Sequence, residues 1–229
     1  MDQTAFKNPP KTFRAAPFWS WNDDLDPEEL AHQVRLMDEA GWGGFFMHSR
    51  VGLVTPYLSK QWMECIRATV EEARGRGMAA YLYDEDKWPS GFAGGLVPAQ
   101  KREYRDLALV CKVDNRPAVI EESLALFGAR FEAGQLSEFH PISAEEASEL
   151  DWRCERLVQF YPLTAPLGQQ WFNDYCYTDL LNPKAVQAFI ESTHERYQQE
   201  VGEDFGELSR ADFGEPSSRA QAEGLSRAE

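Results

Sequence analysis

Between residues 17 and 95 short apolar runs alternate with capped amphipathic segments, and this alternation restricts the fold more than any other feature of the chain. Residues 17–21 (PFWSW) form an aromatic run suited to a buried strand. Asp26 then supplies a helix cap, Pro27 stands at the first helical position, and Glu29 falls where a capping box needs a carboxylate. Leu30, Val34 and Met37, spaced by four and three, share one face, and Gly41 closes the helix. Residues 43–48 (GGFFMH) are apolar on both faces, as a parallel strand covered by helices is. Ser59 caps a second helix with Trp62, Ile66, Val70 and Ala73 as its inward stripe, and Gly75 and Gly77 stop it. Residues 78–83 (MAAYLY) make a third strand. Strand and helix alternating with a repeat of roughly thirty residues require parallel pairing with helical crossovers. The order alone does not separate a barrel from an open doubly wound sheet.

Past residue 95 the rhythm changes. Residues 107–113, 117–131 and 155–163 read as antiparallel strands with polar connections, so residues 104–165 are expected to be a β-rich insertion. Asn182 and Pro183 reopen the helical signal, and Val186, Phe189, Ile190, Thr193 and Tyr197 predict one long helix reaching about Gly202. From Glu207 the composition turns to Ser, Ala, Arg and Glu with few aliphatics, which predicts a low-complexity, disordered tail over residues 207–229.

The net charge of −15 disfavours nucleic acid and anionic membranes, both of which need a positive field. No run of about 18 apolar residues spans a bilayer. The first residues, MDQTAFKNPPK, lack the apolar core of a signal peptide, so a cytoplasmic location is expected. Cys65, Cys111, Cys154 and Cys176 lie far apart without a CxxC pair, which points to reduced, mostly buried thiols rather than a metal or redox centre.

In parallel βα folds functional groups gather beyond the carboxyl ends of the strands. Three clusters fall there: Trp21, Asn22, Asp23 and Asp24; then His48, Ser49 and Arg50; then Asp84, Glu85, Asp86, Lys87 and Trp88. Three adjacent acids are costly unless they bind something or face water, and a glycosidase needs two carboxyls about 5 to 9.5 Å apart. Neighbours on one strand do not easily flank a sugar ring, so a partner must come from elsewhere. The same acids suit calcium or sugar hydroxyls, or a solvated turn with Lys87 as counter-ion. His48 reads equally as a ligand contact or a core histidine, and Arg50 as a carboxylate clamp or as the ion-pair partner of an acid. Trp19 reads as core, while Trp21 and Trp88 suit sugar stacking or packing. His32 is expected on an exposed helix face and His194 in a structural place on the long helix. Gly91, Gly94 and Gly95 match no phosphate-loop pattern.

The blocks PFWSWNDDLDPEEL, GWGGFFMHSRVGL, YLYDEDKWPSGFAGG and DLLNPKAVQAFIESTHERY resemble, in that order, the front of α-L-rhamnosidase-like bacterial glycoside hydrolases of family 106. They cover most of residues 13–205. The resemblance implies a (β/α)8 catalytic barrel, inverting hydrolysis of terminal rhamnosides, and calcium as a family feature. It makes Asn22, His48, Arg50, Asp84, Glu85, Asp86 and Trp88 the expected substrate-binding wall. Members of that family are several times longer, and of a Phe-Thr-Asp-Glu-Pro block expected after the long helix only Glu215 and Pro216 match. The expected fold is therefore α/β, a partial (β/α)8 barrel with a β-rich insertion, and the expected status is a truncated front piece without its catalytic acid and base. Two rivals stand beside it. One is a small active hydrolase using Glu85 with Asp23 or Asp179 and completed by dimerisation; the other is a non-catalytic carbohydrate-binding protein. An open half-barrel would expose strand edges and apolar faces, which predicts self-association.

Overall fold

The computed structural model describes residues 3–116 and 118–206. They fall into two compact units, one built from residues up to 104 and from 168 onward, the other from residues 105–167. The low-complexity, disordered tail expected over residues 207–229, and the matching Glu215 and Pro216, lie outside the described residues.

The first unit opens with a short helix α1 (Gln3–Lys7), followed by β1 (Phe18–Trp21), α2 (Pro27–Glu39), β2 (Gly44–Ser49), α3 (Lys60–Arg76) and β3 (Ala79–Leu82). The caps set these limits. The Asp26 carboxylate accepts the Glu29 amide at 2.9 Å, Ser59 accepts the Trp62 amide at 3.2 Å, and Gly77 ends α3 in the left-handed region at φ 61°. The capping box is only half made, because Glu29 accepts from the Gln33 side chain instead of reaching back to the cap. All three strands are parallel, with Trp19 opposite Met47 and Met47 opposite Leu82. A side chain on Gly44 would place its Cβ 2.4 Å from the Ala79 carbonyl oxygen, so the close approach of β2 to β3 depends on that glycine.

Side chains alternate across this sheet. Trp19, Trp21, Phe45, Met47, Ala80 and Leu82 face α2 and α3, where Leu30, Val34, Trp62, Ile66, Val70 and Ala73 complete the core. Each large side chain so buried contributes about 1.5–3 kcal/mol. The opposite face carries Phe18, Phe46, His48, Tyr81 and Tyr83, with Phe46 stacked on Phe18 at 4.9 Å and on Tyr81 at 4.4 Å.

The barrel expectation is corrected here. The sheet has three strands in the order β1-β2-β3 and is open. Closure needs every strand to pair on both sides. Here β1 and β3 each pair on one side only, and no fourth parallel strand follows β3 among the described residues. Instead the chain makes the short helix α4 (Leu96–Gln100) and enters a separate antiparallel sheet. The expected single long helix is also two, α5 (Pro183–Ser192) and α6 (His194–Val201). They break at Thr193, whose φ and ψ of −116° and −72° are distorted from regular helical values while its hydroxyl donates to the Phe189 carbonyl at 2.8 Å. Within this unit α6 is held to α3 by the Trp62–Tyr197 hydrogen bond of 2.9 Å and by the Arg67–Glu200 ion pair.

The second unit is a sheet of β4 (Leu107–Asp114), β5 (Ala125–Glu132), β6 (Gln135–Pro141) and β7 (Glu155–Thr164) in the order β4-β7-β5-β6. Its small core of Ala147, Leu150 and Leu157 is pinned by buried Gln159. That amide donates to Asp114 and to the Ala118 carbonyl, and accepts from the Ile120 amide and Ser123. Strand β6 was not expected, and β5 starts at Ala125 rather than near residue 117. Cys65 and Cys176 are buried, whereas Cys111 and Cys154 are exposed, so the expectation of mostly buried thiols holds for half of them. Among the described residues no helix is long and apolar enough to cross a membrane.

Candidate functional site

The chain leaves β3 through Tyr83 into three buried acids: Asp84 is 5%, Glu85 0% and Asp86 4% exposed. Each takes a different direction. Glu85 turns inward, where one carboxylate oxygen accepts the amides of Gly91, Phe92 and Ala93 at 2.8–3.0 Å. The other accepts those of Asp86 and Gly94 at 2.7 and 2.8 Å. Burial raises this carboxyl above its ordinary range and the surrounding N–H groups pull it down. The donor geometry favours the ionised form, since a protonated oxygen would aim an O–H at an N–H. Glu85 thus organises the loop from residue 86 to 94, and both of its oxygens are occupied by main chain.

Asp84 points toward the helix side, accepts from Ser90 at 2.8 Å and lies within electrostatic reach of His194. Burial raises its carboxyl and lowers the His194 imidazole. Asp86 faces the remaining way. It accepts from the Ser49 hydroxyl at 2.5 Å and from the Asn173 amide at 2.7 Å, with the Lys87 ammonium 4.0 Å off. The Asn173 carbonyl oxygen accepts from Lys87, and its amide also donates to the Gly94 carbonyl at 3.0 Å. Residues 171–177 clamp the same loop further. Trp171 donates to the Trp88 carbonyl at 3.0 Å, and Tyr177 donates to the Ser90 carbonyl at 2.6 Å.

A cavity of about 330 Å³ opens over this knot, lined by the loop from Arg50 to Tyr57 together with Asp86, Lys87, Gly94, Leu96 and Asn173. It lies at the carboxyl ends of β2 and β3. A larger groove of about 730 Å³ runs along the outer surfaces of α2 and α3. Its Asp38, Glu72 and Arg76 are bound up in ion pairs with one another, Lys11 and Arg35, which leaves Glu28 and Glu71 as its unpaired charged groups among the described residues.

Of the expected wall residues the structure brings Arg50 and Asp86 together in the cavity. Glu85 and Asp84 lie behind it. His48, 6% exposed, sits beside it on the aromatic face with its ring 4.1 Å from that of Tyr83, and burial and then the Arg50 cation hold its imidazole below the ordinary value. Asn22 is exposed and its carbonyl approaches Gly52 of the lining loop. Trp88 is 69% exposed and does not line the cavity. Asp23 is exposed and accepts the Asp24 amide, and Asp179 accepts the Leu181 amide at 3.0 Å in the turn before α5. Tyr57 and Asn173 were missed, because only the tertiary fold carries them to the acids, whereas His194, expected in a structural place, lies near Asp84 and outside the cavity lining.

Calcium does not fit these residues. The three acids diverge, their oxygens are taken by main-chain amides, hydroxyls and an amide side chain, and no oxygen cage of the kind calcium needs is formed. Among the described residues no group of three or more His, Cys, Asp or Glu is arranged to hold a metal.

No family profile and no curated protein matches the chain. Among solved structures it is similar in part to a rhamnosidase from Novosphingobium sp. PP1Y, with 15% identity and a TM-score of 0.39. The likeness covers 62% of this chain and 17% of that one, so the chain corresponds to well under a quarter of the rhamnosidase.

Proposed function

We propose that the cavity over Asp86 is a carbohydrate-binding site of glycoside-hydrolase type, taking a terminal deoxyhexose or similar ring. The observation that supports this best is the convergence of a carboxylate, a carboxamide and two cations in one small cleft, with Tyr57 in its wall. Sugar hydroxyls donate and accept at once, and they suit a wall that combines an acceptor (Asp86) with donors (Lys87, Arg50). The half-buried ring of Tyr83, close to Arg50, suits the apolar face of a sugar.

Binding, not turnover, is what these residues support. Two-carboxyl hydrolysis needs a second carboxyl across the scissile bond. Asp86 is the one acid among the lining residues, while Glu85, Asp84 and Asp179 are engaged elsewhere. Calorimetric titration with L-rhamnose and L-fucose, alongside hydrolysis of an aryl α-L-rhamnoside, tests the reading. Saturable binding without release of the aryl group supports it. Absence of binding by either sugar at tens of millimolar sinks the deoxyhexose reading, and turnover would restore the rival of an active hydrolase.

A further inference from the structure

Among the described residues of its unit, Lys7, Arg50, Arg102, Lys184 and Arg196 are in no ion pair, side-chain hydrogen bond or cation–π contact, and of these five only Arg50 lines the cavity. Lys11, Arg35, Arg67, Arg74 and Arg76 are all in ion pairs, and Lys87 is held by Asn173 and Asp86. Among the described residues no hydrogen bond or ion pair engages the Arg50 guanidinium, although the chain carries 38 acids against 23 Lys and Arg. It projects from the end of β2 into the lining of the cavity.

The charge of that lining is the reverse of the chain's. Its charged side chains are Arg50, Lys87 and Asp86, which sum to one positive charge, in a protein whose net charge is −15. Asp86 is also quenched locally, since Ser49 and Asn173 both donate to it. An unpartnered guanidinium offers a planar fork of N–H donors that matches a carboxylate at two points, a geometry that a lone hydroxyl does not fill. Aromatic rings adjoin it, with Tyr83 close to both His48 and Arg50.

We propose that Arg50 is a specificity-determining residue that selects a sugar bearing a carboxylate, a hexuronic acid, over its neutral counterpart. This rests on the reading of the cavity as a sugar site, and goes beyond it by naming the substituent. The six-membered ring occupies the floor over Asp86 and Asn173, while its C5 carboxylate meets the guanidinium at the mouth.

The test uses matched pairs on the whole chain: D-galacturonic acid against D-galactose, and D-glucuronic acid against D-glucose, titrated into the wild type and Arg50→Gln. A charge-assisted two-point contact gives the acid an affinity about tenfold or more above the neutral sugar in at least one pair. In Arg50→Gln that ratio falls close to one, and Arg50→Lys, which keeps the charge without the fork, restores only part of it. The ratio in the wild type also shrinks as sodium chloride rises from about 0.05 to about 0.5 M, because the mouth is open to screening. Equal or stronger binding of the neutral sugar, or a ratio unmoved by Arg50→Gln, overturns the assignment of Arg50 while leaving a sugar site in place. If neither member of either pair binds, and rhamnose and fucose fail as well, the sugar site itself falls.

Discussion

The Asn173 carboxamide lies between Asp86 and Lys87, donating to the carboxylate at 2.7 Å and accepting from the ammonium on its other side. Each neighbour fixes one end of the amide, so its orientation is set by charge. The residue adopts φ 54°, a conformation that Asn and Asp tolerate and most residues do not.

Asn173→Asp keeps that backbone but sets two carboxylates in contact. Near pH 7 sugar affinity is expected to fall about tenfold or more, and part of it should return near pH 5, where the two acids share a proton. Calorimetric titration at both pH values checks this. An affinity equal to wild type at both would show that the amide is not part of the site.

Glu85→Gln replaces a carboxylate that accepts five main-chain amides with a group that turns two N–H donors into the same cradle. With Glu85 fully buried, the loss is expected to be about 3 kcal/mol. Urea unfolding gives the total, and amide exchange at residues 91–94 should accelerate ahead of the rest of the unit. Unchanged exchange there would refute the loop-organising role.

Tyr197→Phe removes the acceptor of the Trp62 indole N–H between α6 and α3. Both side chains are fully buried, so an orphaned donor costs about 1–3 kcal/mol. A double-mutant cycle with Trp62→Phe should show that the two losses do not add. Strict additivity would mean that the hydrogen bond contributes nothing of its own.

His48 and His194 are both held below their ordinary value of 6.5, chiefly by burial. The unfolded chain then binds more protons than the folded one just below pH 6.5, so stability climbs as pH rises toward 6.5 and is lost as it falls. Asp84, raised above 3.8 by burial, slopes the other way as pH rises from 3.8. The variant with both histidines changed to Gln should show a flatter urea midpoint between about pH 5 and 6.5. An unaltered slope would place the titrating groups elsewhere.

The parallel βαβαβ segment was legible because its signals are local and redundant: Asp26 and Ser59 cap, Gly77 terminates, and Trp62, Ile66, Val70 and Ala73 repeat at helical spacing. Whether three such strands close or stay open depends on what pairs with β1 and β3, which no local pattern records. Strand β6, QLSEFHP, escaped notice because it is exposed throughout and carries no alternation. The break at Thr193 was hidden by apolar spacing that runs on across it, from Phe189 to Tyr197. At the site, the run Asp84-Glu85-Asp86 stood out by cost alone. Nothing in it foretold that Glu85 would face amides, Asp84 a helix and Asp86 the cavity, because partners such as Asn173 and His194 come from about ninety to over a hundred positions further on.

The first unit is interrupted by residues 105–167, and this sets an order of events during synthesis. Asp86 and Trp62 leave the ribosome well before Asn173 and Tyr197, with the whole antiparallel sheet made in between. At about 5–20 residues per second the wait is roughly 4 to 17 s between Asp86 and Asn173, and roughly 7 to 27 s between Trp62 and Tyr197. For that time the nascent strand ends stand with their acid loop unclamped and α3 without its partner helix, so the cavity cannot be completed until the chain has returned to the first unit at Asn173.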